Sequence, residues 1–500
     1  MSLLGLDVGT TGCKAAVFST DGQMLALAYR EYDVRRPLPD WAELDVDDTW
    51  EKIKQCIREV APAAKQDPIK ALAVSSMGEA VVPITRDRRV LGASLLNFDA
   101  RGAEYLPRLS QAIPDEELYN INGNSLGNHY SLTKMMWIKE HQPDLYTQTY
   151  KFLHWSGFVS FMLGGDAYVD YSLANRTLLF DVDNCTWSEK MLNISALDKE
   201  KLPPTAPSGT IIGEMDSHLA EELGLNKGIL IVTGSHDQCA NGIGCGVTQE
   251  GQAMYGMGTY FTAMPVFSQR KSPPKMLQYG VNTEHHAAPG LYVSFLYNHG
   301  GSMLKWYRDT FAVAEHQQAQ KEGRSVYPDL IAEIPPEPSR VLVLPHFAPT
   351  GPPRFIADSS GVILGLKLGT PRGEILKAIL ESIVFYLRDL FEPLPKIGID
   401  ISGFRAVGGG SKSDAWIQIS ADILGKPFVR PAVTEAGALG AAIMAGSAAG
   451  VFSSMPEGCQ IMVKLDKSFE PNMDMHQRYE ENFRKYQQLY PLLETYLRNT

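Results

Sequence analysis

The apolar positions of the chain first fall into short runs. Leu3–Val8 and Ala15–Ser19 read as the two strands of a hairpin, and Thr20-Asp21-Gly22 turns the chain into a third strand, Gln23–Ala28. Between Asp48 and Val60 the spacing changes. Trp50, Ile53, Cys56, Ile57 and Val60 fall three or four apart, the period of a helix with one buried face. Lys70–Ser76 and Val81–Thr85 return to strand length, while Pro114–Leu202 is mixed and predicts no clear order of elements. At mid-chain the opening pattern recurs. Gly228–Thr233 is a buried-strand run, Gly242–Gly246 is glycine-rich, and Gln252–Met257, Gly258-Thr259 and Tyr260–Val266 repeat the strand, Gly-Thr turn, strand arrangement of the N-terminus. Two hairpins of one kind predict two related α/β domains facing each other, residues 1–240 and 241–500, with the hinge in the glycine-rich stretch 234–247.

Later helices are more sharply marked. Thr370 is placed as an N-cap with Pro371 at the first helical position, and Ile375, Leu376, Ile379, Leu380, Ile383, Val384 and Leu387 form the stripe of a core-facing helix. Ser413–Leu424 is a second helix that Gly425 is placed to end. His476–Arg498 reads as a charged amphipathic helix on the surface, and Ala436–Phe452, rich in Gly and Ala, as a tightly packed internal one.

Composition narrows the function. A chain of 500 residues exceeds what one core usually holds. A net charge of −11 with no Lys/Arg run excludes the basic footprint of a nucleic-acid binder. The six cysteines form no CxxC pair, so neither a disulfide framework nor a zinc site is predicted. With reduced thiols, no basic segment followed by an apolar stretch at the N-terminus and no run long enough to span a bilayer, a cytoplasmic protein free of the membrane is expected.

The hairpin turns carry the candidate chemistry. Phosphate oxygens bind backbone N–H groups in a concavity that side chains would block, so Gly9-Thr10-Thr11-Gly12 suits a phosphate cradle, with Lys14 as a nearby cation. Asp7, just before the turn, suits Mg²⁺ held partly through water. The same residues also suit a plain tight turn, and the second turn at Gly258-Thr259 favours the cradle, because two facing turns can clamp one nucleotide. Gly408-Gly409-Gly410 lies between a strand and a helix, where it fits either a polar ligand or close helix–strand packing. Neither a Walker A loop nor a complete dinucleotide fingerprint is present. Asp237 follows a buried strand, which suits either a general base in a cleft or a cap on the next helix.

With these motifs in hand, the chain resembles the FGGY carbohydrate kinases of the actin/Hsp70/sugar-kinase superfamily over nearly its whole length. "DVGTTGCKAAVF" is similar to the family's first phosphate motif, "GMGTYF" to its second, "GSHDQCANGIGCG" to the segment of the catalytic aspartate, and "VGGGSKSDAWIQISADILGKP" to the adenosine segment. The helix segments "GVILGLKLGTPRGEILKAILE" and "HYSLTKMMWIKEH" fit two further family patterns, with His129 departing at the opening of the latter. The resemblance implies two ribonuclease-H-like (actin-like ATPase) domains around an interdomain cleft, each with a mixed five-stranded sheet. It implies ATP and Mg²⁺ as cofactors. Thr10, Thr11, Lys14, Gly258, Thr259, Gly301, Gly409, Gly410 and Ser413 would hold the nucleotide, Asp7 and Asp237 the metal, and Asp237 would be the general base. Met77, Gly78, Glu79, Asp99 and Asp237 would contact the substrate. Glycerol kinases carry Arg-Glu where this chain has Gly78-Glu79, and xylulokinases carry Met-His-Gly, so the substrate departs from the best-known members. The implied reaction is ATP-dependent phosphorylation of a hydroxyl of a small sugar, a ketopentose or related ketose before a linear polyol or tetrulose. A non-catalytic sugar- or nucleotide-binding regulator is the other alternative, and a homodimer is left open.

Overall fold

A computed structural model describes every residue except 352–355, 357, 499 and 500. Among the described residues the first half builds a six-stranded sheet in the order Ile211–Glu214, Leu230–His236, Ile69–Ser76, Ser2–Val8, Gly12–Ser19, Met24–Glu31. The last three strands form an antiparallel meander, Ser2–Val8, Ile69–Ser76 and Leu230–His236 run parallel, and Ile211–Glu214 closes the far edge antiparallel. The second half repeats these directions. Tyr260–Phe267 pairs antiparallel with Gln252–Met257, which runs parallel to Gly403–Val407 and through it to Phe428–Pro431, and Leu465–Phe469 closes the edge antiparallel. The counterpart of the third strand is split into Tyr292–Val293 and Leu296–His299, both against Tyr260–Phe267, and Glu284–His285 adds an eighth strand. The internal repeat read from the two hairpins is therefore a repeat of topology. The sheets hold six and eight strands instead of five, because each gains an antiparallel edge, and the second also breaks one strand in two and adds Glu284–His285.

Leu3, Leu4, Leu6 and Val8 are fully buried, since the Ser2–Val8 strand is covered on both faces. One cover is the apolar cluster shared with Val46–Val60, a helix that lies over Gly12–Ser19 and Met24–Glu31 and that Asp45 caps by accepting from the Asp48 N–H at 3.0 Å. The other is the Gly/Ala-rich helix, Ala436–Ala448, buried from Gly437 to Gly446. This helix comes from the second half of the chain. It lies against Ser2–Val8 and Ile69–Ser76 of the first sheet and against the helix Asp237–Gly244. Small residues permit backbone contact there: a Cβ on Gly440 would stand 2.0 Å from the Ala240 carbonyl oxygen.

Two expectations for the later helices are corrected. Arg372–Phe391 is capped by Pro371, not Thr370; Pro371 stays extended at ψ 152°, and the Thr370 hydroxyl instead accepts from the Lys367 N–H at 2.9 Å. The C-terminal helix, Met473–Leu497, is not confined to the surface. It buries Tyr479, Phe483 and Leu489 in the core of the second half, and Glu480 accepts a bond from Arg388. Asp414–Leu424 matches its prediction, with Ser413 as cap and Gly425 at φ +62° as its left-handed stop. Among the described residues no helix is long and apolar enough to cross a membrane.

Candidate active site

The first hairpin turn is gripped from behind. The Gly9 N–H donates to the Gly12 carbonyl at 2.9 Å, and the Tyr32 hydroxyl donates to the carbonyls of Gly9 and Gly12 at 2.5 and 3.0 Å. That grip leaves Thr10 lining the interdomain cleft and Thr11 exposed. Tyr32 carried no sequence signal, because nothing local marks a tyrosine twenty residues on as a support for the turn.

Asp7 and Lys14 are register partners across the hairpin. The Asp7 carboxylate accepts from the Ser75 hydroxyl at 2.7 Å, and burial raises its pKa against the pull of Ser75 and Lys14. Lys14 is not a free cation. Its ammonium donates to Glu435 at 2.5 Å, at the start of the Ala436–Ala448 helix.

Asp237 is the first residue of its helix, directly after the buried strand Leu230–His236. His236 occupies the cap position and no side chain makes a capping bond, so Asp237 is not consumed as a cap. Its Oδ1 accepts from Gln238 Nε2 at 3.2 Å and lies 3.2 Å from His236 Nε2. Burial first, and then the Asp7 carboxylate, pushes the Asp237 carboxyl up to about 7, with Gln238 offsetting part of the rise. Burial holds the His236 imidazole down at about 3, so this contact involves a neutral ring.

Two adjoining cavities meet here. The larger, about 1050 Å³, is lined by Thr10, Met77, Gly78, Glu79 and Asp237 among others. The smaller, about 300 Å³, is lined by Met257, Gly258, Gly408 and Thr434. Gln238, Tyr260 and Thr262 border both. Each volume suits a small-molecule site.

Not every predicted residue reaches these cavities. Asp99, expected at the substrate, is turned into the wall. Its Oδ1 accepts from the Arg101 backbone N–H at 2.8 Å and from Arg101 Nε at 2.9 Å, and its Oδ2 accepts from the Ala42 N–H and from Arg101 Nη2, both at 2.6 Å. Arg101 in turn lies over the Trp41 ring at 3.9 Å. With both oxygens satisfied internally, Asp99 is a structural ion pair. Asp99→Asn is expected to lower stability by about 2 kcal/mol, the scale of a lost charge-assisted bond, while the substrate KM holds; urea unfolding and steady-state kinetics check this. Gly301 supports the second turn from behind: its N–H donates to the Gly258 carbonyl at 2.9 Å, and a Cβ there would stand 2.6 Å from that oxygen. Thr259 forms the turn with Gly258, and its carbonyl accepts from the Gly300 N–H at 3.0 Å. Gly409 is exposed and Gly410 rests against Met257, while the Ser413 hydroxyl is spent on the Trp416 N–H at 3.3 Å.

The donor set fits Mg²⁺. Among the described residues no group of three or more His, Cys, Asp or Glu side chains forms a cation cage. Asp7 and Asp237 offer two carboxylates whose mutual repulsion a dication relieves, and Mg²⁺ takes one or two carboxylates with water and phosphate completing its shell. The glycine-lined smaller cavity offers room beside them for a triphosphate.

Comparison with known proteins gives the same architecture. The chain is 28% identical over 506 residues to the autoinducer-2 kinase of Escherichia coli (strain K12), covering 98% of this chain and 94% of the relative. It is 25% identical over 490 residues to the xylulose kinase of Bacillus subtilis (strain 168), covering 98% and 96%. The crystal structure of xylulose kinase from Rhodospirillum rubrum superposes with a TM-score of 0.88 at 24% identity over 99% of both chains, which shows the fold. Residues 2–244 match the N-terminal domain of a single family and residues 253–449 its C-terminal domain. The chain belongs to the FGGY family of carbohydrate kinases.

Proposed function

We propose that this carbohydrate kinase transfers a phosphoryl group from ATP to a hydroxyl of a small ketose, a ketopentose or close relative, with Asp237 as general base. One observation carries the reading: Asp237 lines the larger cavity at its border with the glycine-lined one, with a carboxyl held near 7. A base there accepts the hydroxyl proton as the bond to phosphorus forms. Glu79 lines the same cavity and offers an acceptor to a further hydroxyl. Bound Mg-ATP supplies the phosphoryl group and the charge that neutralises it. Thr10 and the Gly258-Thr259 turn are proposed to hold the phosphates, and Asp7 with Asp237 the metal. Lys14, shared with Glu435, trims the negative charge between Asp7 and the helix start.

The division into 1–240 and 241–500 is supported by the crossing from the first sheet to the second between His236 and Gln252. A cytoplasmic setting is supported by six cysteines that are all free thiols. The relatives named for xylulose and for autoinducer-2 match over the same share of the chain, so both compounds belong in the test. Sugar-dependent ADP release is measured with Mg-ATP against ketopentoses, hexuloses, tetruloses, autoinducer-2, glycerol and linear polyols. One ketose is expected to dominate. Dominance by a linear polyol would replace the proposed substrate class, and silence across the panel with ATP binding intact would favour a regulator.

A further inference from the structure

The floor of the larger cavity holds a second charged cluster. Arg176 ends the short helix Tyr171–Asn175 and is held from two sides. Its Nη2 donates to Glu79 Oε1, and its Nη1 donates to Glu284 Oε1 at 2.6 Å. Asn282 Nδ2 donates to the same Glu284 oxygen at 2.8 Å. The rings of Tyr130 and Phe295 lie over the guanidinium at 5.1 and 5.9 Å. Among the described residues buried Arg176 Nε has no partner, and a Cβ on Gly78 would come within 3.3 Å of it.

This cluster joins the two halves of the molecule. Glu79 and Arg176 lie in the N-terminal domain and Glu284 in the C-terminal one. The edge carrying Glu284 is fastened to the first domain: the Thr283 N–H donates to the Gly123 carbonyl at 2.8 Å, and the His285 N–H to the Asn175 side chain at 3.0 Å. Glu284 therefore has a fixed position relative to Arg176, and Arg176 relative to Glu79. Glu79 is 8% exposed and lines the cavity; one oxygen is committed to Arg176, and the other has no protein partner among the described residues.

The charge balance sets what such a floor accepts. The charges that Arg176, His129 and His236 can carry act on Glu79, and its own charge acts on His154, Asp237 and Glu284. Burial holds His129 and His154 down at about 4 and His236 at about 3, so all three rings are neutral at physiological pH. Arg176 keeps the Glu79 carboxyl below its usual range despite burial. Both terminal nitrogens of Arg176 are already engaged by glutamates. A sugar acid finds carboxylates here and a cation whose fork is occupied, whereas an uncharged sugar finds a preorganised acceptor.

We infer that Arg176, anchored by Glu284 of the C-terminal half, is a positioning residue that holds Glu79 as an ionised hydrogen-bond acceptor, and that the substrate is an uncharged hydroxyl donor and not a sugar acid. The inference deepens the sugar-kinase reading above and rests on it. The test is isothermal titration of sugar and of ATP, from about pH 4 to pH 8, on wild type, Arg176→Met and Arg176→Lys. In Arg176→Met sugar affinity is expected to fall about 10- to 100-fold at neutral pH, with ATP affinity held. With Asp237→Asn added to all three proteins, so that the carboxyl at about 7 does not titrate in this window, the acid limb of Arg176→Met is expected to move up by about one unit or more, because an unpaired buried carboxylate keeps its proton. Arg176→Lys retains the charge without the fork, so it folds where the methionine variant does not and shows the same shift in smaller measure. Wild type is also titrated with the aldonic acid matching its best ketose, and weaker binding of the acid is expected. An unmoved acid limb in the folded variant, or tighter wild-type binding of the acid than of the ketose, overturns this inference and leaves the kinase standing. Failure of wild type to bind any uncharged sugar overturns both.

Discussion

Asp237→Asn is expected to lower kcat by about 10²–10⁴-fold, the range over which a positioned base contributes, while the ATP dissociation constant stays within a few-fold of wild type. The side chain keeps its size, and its Gln238 neighbour keeps an oxygen to which it can donate, so the site keeps its shape and loses only the group that takes the proton. In wild type the rate should fall as pH drops below about 7, because the base works only when ionised. The same substitution has an opposite effect on stability. The folded pKa is raised from 3.8 to about 7, so the folded state holds a proton that the unfolded chain releases. The penalty for ionising Asp237 in the fold therefore grows as pH rises from 3.8 and is complete above about 7. The asparagine variant is expected to melt higher than wild type at pH above 7, with the gain vanishing toward the unfolded value near 3.8. Kinetics, nucleotide titration and melting curves across pH test all three statements. Loss of ATP binding in step with kcat would instead make Asp237 mainly a metal anchor or a structural group.

The second large effect lies away from the chemistry, at Gly440. In Gly440→Val a branched side chain meets the Ala240 carbonyl oxygen, already only 2.0 Å from where the Cβ would stand, with Gly244 N at 3.1 Å. Backbone cannot rotate aside as a side chain can. The helix Ala436–Ala448 must separate from Asp237–Gly244, whose first residue is the proposed base. A loss of about 3 kcal/mol or more is expected, at the upper end of overpacking. Activity should fall with it, because the separation displaces Asp237. Urea unfolding at unchanged m, read beside kcat, measures both. A stability change below about 1 kcal/mol would mean that the two helices are not in backbone contact.

The elements legible in the sequence were those whose signal is local. The two Gly-Thr hairpins, the stripe of Arg372–Phe391 and the helix from Ser413 to Leu424 with its Gly425 stop each depend on neighbours a few residues apart, and all formed within a few residues of where they are predicted. The Gly/Ala composition of 436–448 correctly marked a helix buried on every side, since a chain with so few large or charged side chains has no polar face to offer water. The sequence did not show that this helix, from the second half of the chain, packs on the first sheet. The boundary residue that misled, Pro371, did so because a fixed φ is compatible with both the cap and the first turn, and only its ψ of 152° separates them.

The candidate site divides along the same line. Asp7, Thr10, Gly258 and Asp237 stood beside recognisable turns or strand ends, so their types and spacing marked them. Asp99, which the family resemblance placed at the substrate, proved to be wall, because Arg101 is folded back onto it. By itself the sequence determined a repeated α/β chain, its phosphate-type turns, and a kinase family with an aspartate at the end of a buried strand. The tertiary structure decided which charges meet. Lys14 finds Glu435 across 421 residues and Arg176 finds Glu284 across 108. The physical reason is that a charge carries no local preference for its partner. Burial makes the Arg176 pairing obligatory, and for both pairs only the packing of one domain against the other determines which partner is within reach.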